Sequence, residues 1–487
     1  MVTTYPDEEV TGIAAETTPL LAGRHDDLTE LVPRDHEDDV FQEVWLMVRN
    51  AAPMVVTGLL QHSIGLTNIF AVGHLGKTEL GAVSLSIMTA NVTGYAVFQG
   101  MATALDTLCP QAFGSDMKLH VGLYFQKMLV LLWLLIIPIG IFWFNAGRIL
   151  GWMVPDKDTA DLAGVYLRIL LFGTPGLAAF ESGKRFVQAQ GIFHATTYVL
   201  LIVAPLNVAI NWLLVWRMEL GFIGAPMSAA LSNNFLALFL FLYVYFVDGK
   251  QCWNGFTTEA FRKWGVMTRL AVPGLLMLEA EYLAFEVLTL AASHISRTQL
   301  AAQSVLSPLI ALTFQAPLAL AIASSTRVAA LIGAGLPRKA RQSAQLAAIG
   351  SCVVGSLNFV FMTTLGVSAA KFLAPEETVI EQVVKVMPMI ATFQLFDSVA
   401  TTLNGVLRGL GKQAIGSIIS IVCYYFIAMP VSFTAAFGLG LELLGLWSGI
   451  AVALSLNSII VGGFLIYVAP WDQAVLAARE RNLKAAE

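Results

Sequence analysis

His74-Leu75-Gly76-Lys77-Thr78-Glu79-Leu80 recurs 220 residues later as His294-Ile295-Ser296-Arg297-Thr298-Gln299-Leu300. Working outward from this pair, Phe113-Gly114 is matched by Ile332-Gly333 at an offset of 219. Gln190-Gly191 is matched by Leu410-Gly411 at 220, and Gly224 by Gly445 at 221. An offset that steady over four places marks an internal duplication. What is duplicated is apolar. Of 487 residues, 57% are hydrophobic and only 13% charged, with a mean hydropathy of +0.72. A soluble domain carries ~25% charged residues. The chain is therefore read as a polytopic membrane protein.

Twelve apolar spans follow Phe41, from 51–73 to 441–469, each near the ~20 residues that a helix needs to cross a bilayer. Six fall in each copy. An even number makes the copies point the same way, which implies two lobes related by an axis along the membrane normal. The expected fold is an all-α polytopic membrane protein, twelve transmembrane helices in two six-helix lobes with pseudo-two-fold symmetry. The chain divides into an acidic tail (1–40), a first lobe (41–247), an inter-lobe loop (248–264), a second lobe (265–469) and a C-terminal tail (470–487). The loop carries Trp253, Phe256, Phe261 and Trp264 and reads as a short interfacial helix. Prolines inside many spans, Pro53, Pro138, Pro205, Pro273 and Pro388 among them, suit helices that bend.

Lys and Arg set the orientation. Nineteen lie in the tails and the loops on the same side as the termini, against eight in the opposite loops, with Lys127 inside a span. Both termini are expected in the cytoplasm. The net charge of −5 comes mostly from the ends, and no basic patch for nucleic acid exists. Cys109, Cys252, Cys352 and Cys423 are widely spaced and read as packing residues, not as a disulfide frame or metal site. The first forty residues lack the apolar core of a cleavable signal peptide and are expected to be disordered. Within them, Glu16-Thr17-Thr18-Pro19-Leu20-Leu21 resembles the acidic dileucine address by which adaptors sort membrane proteins to vacuoles or lysosomes. Glu16, Leu20 and Leu21 would be its readable residues.

Charge within the spans is unequal. Leu275–Leu290, LLMLEAEYLAFEVLTL, holds Glu279, Glu281 and Glu286, with no Lys or Arg between Arg269 and Arg297. Asp397 sits mid-span in the tenth. The first lobe has only Asp106 and Glu181, near span ends. A charge at mid-bilayer costs ~2.5–3.5 kcal/mol on insertion scales, so such acids face protein or a water-filled cavity and mark an ion or proton path. On a straight helix Glu279 and Glu286 share a face and Glu281 lies ~140° away from Glu286. Polar residues in other spans, Gln61, His62, Asn68, Asn91, Asn207, Asn211, Gln303, Gln315, Tyr424 and Tyr425, read first as interhelical hydrogen-bond formers. As a set they could also line a substrate cavity. The seven histidines form no HxxxH or HxxxxD within a span, which argues against a membrane-embedded enzyme.

Four stretches carry a resemblance. They are Val72–Gly76, Ala104–Gly114 (ALDTLCPQAFG), Glu281–Glu286 (EYLAFE) and Gly405–Gln413 (GVLRGLGKQ). Together they resemble the multidrug and toxic compound extrusion (MATE) family in its eukaryotic, fungal-like branch, from about Pro53 to Val468. The resemblance implies two six-helix bundles opening alternately to either side, and export or sequestration of organic cations and other xenobiotics in exchange for protons or Na+. It implies that Glu281, Glu286 and Asp397 are the coupling acids. Glu279 is an additional acid and Leu283 replaces an aromatic. The expected coupling ion is H+, with Na+ the alternative, and no other cofactor. The expected partners are the small-molecule cation, the bilayer and a sorting adaptor. The protein is expected to be monomeric in the vacuolar membrane, the plasma membrane being the alternative. Two other transporter readings fit less well. A lipid-linked sugar flippase would place bases, not acids, in its cavity. A major-facilitator protein would carry a Gly- and Arg-rich loop where this chain has FGSDMKLH.

Overall fold

The apolar spans fold as helices in a computed structural model that describes residues 39–73, 75–153, 156–373 and 376–486. They are α1 (Asp39–Gly73), α2 (Thr78–Gly114), α3 (Lys118–Phe144), α4 (Lys157–Ala189), α5 (His194–Arg217) and α6 (Gly221–Phe246). Then come α7 (Gly265–Ile295), α8 (Arg297–Gly333), α9 (Pro337–Thr364), α10 (Glu377–Leu410), α11 (Gln413–Gly438), α12 (Glu442–Val468) and a terminal helix, α13 (Trp471–Ala486). No strand occurs among the described residues. The sorting motif at Glu16, Leu20 and Leu21 lies outside them, as does His74.

Eleven of these helices are long and apolar enough to cross a membrane. The twelfth, α7, is long enough but too charged, because any 18 consecutive residues of it hold at least three of Arg269, Glu279, Glu281 and Glu286. The described residues up to Leu46, the opening of α1, fall in a first unit, with Phe41 and Trp45 exposed. From Met47 onward the chain is a second unit, which holds both lobes.

Lipid tails are as apolar as leucine, so helices in a membrane associate by close packing of small residues more than by hydrophobic drive. The repeated glycines show this. A Cβ on Gly224 would meet the backbone of Leu214 and Val215, and one on Gly445 would meet that of Ala435 and Ala436, at the same offset of 221. Gly191 and Gly411 close α4 and α10 at φ +80° and +72°, a left-handed turn that glycine adopts without penalty. Each turn is capped alike: Gly191 N–H donates to Gln188 O and Ile192 N–H to Val187 O, as Gly411 does to Arg408 O and Lys412 to Leu407 O. Gly114 and Gly333 lie between the lobes. A Cβ on Gly114 would strike the Ala330 carbonyl, and one on Gly333 the Gln111 carbonyl; the two glycines are 219 residues apart, and so are the two residues they would strike. The pseudo-two-fold axis therefore passes through the crossing of α2 and α8.

Trp143, Tyr166, Phe98 and Phe180 fill the first lobe, and Trp447, Phe393 and Tyr424 the second. α7 belongs to both. Met267, Leu270 and Ala271 pack in the first lobe's core, and Ala280, Ala284 and Leu288 in the second's. The crossing is possible because Gly100 lets the Leu275 backbone approach, with Cα 2.7 Å from where a Cβ would stand. α13 buries Trp471, Ala474, Val475 and Ala478 against Leu331 and Leu407 of the second lobe. Its last turns then reach the first lobe: Arg481 Nη2 donates to Gln111 Oε1 at 2.7 Å and Asn482 Nδ2 to Ser115 Oγ at 2.8 Å.

The inter-lobe segment differs from expectation. It forms two single 3-10 turns, Lys250–Cys252 and Thr258–Phe261, and no interfacial α-helix. Gly249 and Gly255 take positive φ, and Gln126 of α3 holds the chain between the turns, donating to Gly255 O at 2.8 Å and accepting from Thr257 N–H at 2.9 Å. Its Phe256 and Phe261 remain exposed.

Candidate functional site

Asp397 of α10 is 1% exposed, and its Oδ2 has no hydrogen-bond partner. Glu281 of α7 lies close enough for its charge to act on Asp397, and both act on Tyr424 of α11. Tyr424 sits in a π-helical stretch, Val422–Ala428, where the helix widens by one residue per turn. Tyr425, in the same stretch, feels the charge of Glu279. The structure thus brings together Glu281, Asp397 and Tyr424. Glu279 stands on a different face, with neither carboxylate oxygen partnered. Glu286 is half-buried further along α7, and no ionised neighbour acts on it. Glu286, about 140° from Glu281 on a regular helix, is not among the charges that act on Asp397. Tyr282, next to Glu281, donates its hydroxyl to Gln99 Oε1 of α2 at 3.3 Å, across the lobes.

The polar residues expected to line a cavity separate into groups. Asn207 donates to Ser228 and Ser232, and Asn211 donates to Asn68, all inside the first lobe. Gln303 accepts from Trp447 Nε1 and donates to Thr289 inside the second. These are structural bonds between helices of one lobe. Asn91 is exposed at the start of another π-helical stretch, and His62 is half-buried. Gln61 joins a charge cluster. A cavity of ≈ 350 Å³ between α3 and the inter-lobe segment, lined by His120, Gln126 and Glu259, contains none of the span acids.

The charge cluster was not legible as a site. Glu181 pairs with Lys184 at 2.6 Å and with Arg185 at 2.5 Å, and Gln61 bridges Glu181 and Lys184 at 3.4 and 3.3 Å. Asp106 is held more loosely, by Arg185 Nε at 3.5 Å and by Arg408 Nε at 3.4 Å. Arg408 comes from α10 of the other lobe. Around this pair Thr107 Oγ1 donates to Arg408 O at 2.5 Å, Gln111 Nε2 to Gly409 O at 3.1 Å and Gln413 Nε2 to Thr107 Oγ1 at 2.7 Å. Arg408 also acts on Glu281. A count of loop charges treats Lys184, Arg185 and Arg408 as solvent-facing, yet Lys184 and Arg408 are buried. The available signal was the spacing of Asp397 and Arg408, eleven residues, which on a regular helix brings them within ~20° of one face.

Among the described residues no cluster of His, Cys, Asp and Glu could hold a metal ion. The MatE family description matches the chain twice, over residues 53–213 and 273–434. The chain belongs to the MATE family. The two matches are offset by 220 residues at their starts and 221 at their ends, the period already visible in the glycines. An uncharacterized transporter of Schizosaccharomyces pombe is 37% identical over 91% of this chain and 82% of its own length. Multidrug and toxin extrusion protein 2 of Mus musculus is 33% identical over 91% and 77%. The crystal structure of the eukaryotic MATE transporter AtDTX14 superposes with a TM-score of 0.84 at 28% identity, covering 91% of this chain and 99% of that one. This MATE protein is a multi-pass membrane transporter with two helical lobes, and not an enzyme.

Proposed function

We propose that this MATE protein exchanges protons for organic cations, with Glu281 and Asp397 as the proton-carrying pair. The observation that carries the reading is a carboxylate at Asp397 that is 1% exposed, has an unpartnered oxygen, and lies within reach of a second carboxylate from another helix. Two acids that close in a poorly solvated site do not both ionise readily, so they share protons. Protonated, the pair is neutral and offers a cation nothing. Ionised, it attracts one, and the rings of Tyr424 and Tyr425 add π-faces suited to an organic ammonium. Proton and substrate then compete for one charge, which gives antiport. The coupling is as large as the difference in substrate affinity between the two states, and no larger.

Glu279 and Glu286 serve as secondary acids on the way in. The excess of Lys and Arg on one side supports cytoplasmic termini, and the Glu16–Leu21 motif supports adaptor sorting to the vacuolar membrane. A monomer suffices, since both lobes and the acid pair belong to one chain. The test is uptake of a fluorescent cation into proteoliposomes under an imposed pH gradient, with and without Na+. Uptake that follows the pH gradient and ignores Na+ supports the reading. Uptake that needs Na+ at a fixed pH contradicts the choice of ion.

A further inference from the structure

The cluster at the α2–α10 crossing holds three cations, Lys184, Arg185 and Arg408. It has only two carboxylates of its own, Asp106 and Glu181. Glu281, acting on Arg408 from α7, is the third carboxylate and balances the set when ionised. The two first-lobe acids are held differently. Glu181 has short contacts to two cations of its own lobe. Asp106 has contacts of 3.4 and 3.5 Å, one of them across the lobes, and Arg408 Nε is buried without a hydrogen bond to any group. A buried ion pair is strong only when geometry is good and the remaining donors are satisfied. The Asp106–Arg408 pair meets neither condition, so it is the contact of this cluster most easily given up.

We infer that Arg408 is a positioning residue that couples the acid pair to the closure of the lobes, because Glu281 and Asp106 compete for its guanidinium. The inference rests on the reading that Glu281 carries a transported proton. When Glu281 is protonated, Arg408 is left to Asp106, and α10 of the second lobe is tied to α2 of the first. When Glu281 is ionised, it draws on the same guanidinium and weakens the tie. The charged and titratable groups around this exchange are Asp106 on α2, Glu181, Lys184 and Arg185 on α4, Glu281 and Tyr282 on α7, Asp397 on α10 and Tyr424 on α11. Lobe separation and proton occupancy are thereby linked through one side chain.

The test uses the full chain in nanodiscs with Cys352, the exposed native cysteine, replaced by serine. Spin labels go at Leu119→Cys in the first lobe and Arg338→Cys in the second, both exposed and near the α2–α8 crossing. The wild type should show a shorter inter-label distance at mildly acidic pH and a longer one at mildly alkaline pH. Arg408→Gln should abolish that pH response, and Arg408→Lys should retain part of it, which separates loss of charge from misfolding. Glu281→Gln should fix the short distance and Asp106→Asn the long one at both pH values. A pH response of wild-type size in Arg408→Gln overturns the inference, even if Glu281→Gln has lost exchange. Full pH-driven exchange in Glu281→Gln overturns the coupling reading instead.

Discussion

Replacing Glu181 by Gln should destabilise the protein far more than replacing Asp106 by Asn. The two acids are alike in burial, 1% and 7% exposed, so desolvation does not separate them. Their contacts do. At an effective dielectric of ~20, a unit pair at Glu181's distances of 2.5 and 2.6 Å gains about 6 kcal/mol of gross attraction, against about 5 for Asp106's 3.4 and 3.5 Å. The short contacts are also true charge-assisted hydrogen bonds, each with a net value of ~1.5–3 kcal/mol, and the long ones are not. Gln at 181 leaves Lys184 and Arg185 buried with their principal partner gone, a loss of ~3–5 kcal/mol by the measure of broken buried pairs. Asn at 106 leaves Arg185 still paired to Glu181 and Arg408 still facing the charge of Glu281, and removes two loose contacts, a loss of ~1–3 kcal/mol. The assay is the midpoint of heat-induced loss of monodisperse protein in detergent, taken at one heating rate because unfolding of such proteins is irreversible. Glu181→Gln should melt several degrees below Asp106→Asn, while Asp106→Asn should be the variant with altered transport. Equal midpoints, or a lower one for Asp106→Asn, would refute the division into a structural acid and a mobile one.

The other expectations are direct. Gly114→Leu and Gly333→Leu place side chains against a backbone carbonyl that cannot yield, so each should cost ~1–3 kcal/mol and the two should be alike; a marked inequality in folded yield would contradict the symmetric crossing. Cysteines at Ser115 and Asn482, whose side chains now touch at 2.8 Å, should form a disulfide under mild oxidation and stop exchange until reduced; failure to cross-link would place α13 elsewhere in the working protein. Leu20→Ala with Leu21→Ala should move a tagged chain from the vacuole to the cell surface, and unchanged vacuolar residence would remove the motif from the account.

The glycines made most of the fold legible. Each repeated pair has a local physical duty: Gly224 and Gly445 a close approach, Gly191 and Gly411 a left-handed cap, Gly114 and Gly333 the crossing at the axis. Such duties leave a mark in sequence because no other side chain performs them. The acids of α7 and α10 were legible for the same reason, since charge in an apolar run is conspicuous. Which of them meet was not. Glu281 and Asp397 are 116 residues apart, and only the packing of α7 against α11 and α12 decides that Glu281, and not Glu286, acts on Asp397. Arg408 was hidden more deeply. It sits at a span end, where a basic residue is ordinary, and its partner Asp106 lies 302 residues earlier in the other lobe. The inter-lobe segment misled because its aromatics suit an interfacial helix. Its backbone is instead held by Gln126 from a helix more than a hundred residues away.

The central claim is that Glu281 and Asp397 carry the proton that drives export. Proteoliposomes bearing Glu281→Gln or Asp397→Asn separate coupling from binding when two modes are measured side by side: uptake driven by a pH gradient, and counterflow of labelled against unlabelled cation without one. The account predicts loss of pH-driven uptake in both variants, with protein still folded and inserted. Wild-type rates in both variants, with the wild-type pH dependence, would contradict it and move the coupling acid to Glu279, Glu286 or the first lobe.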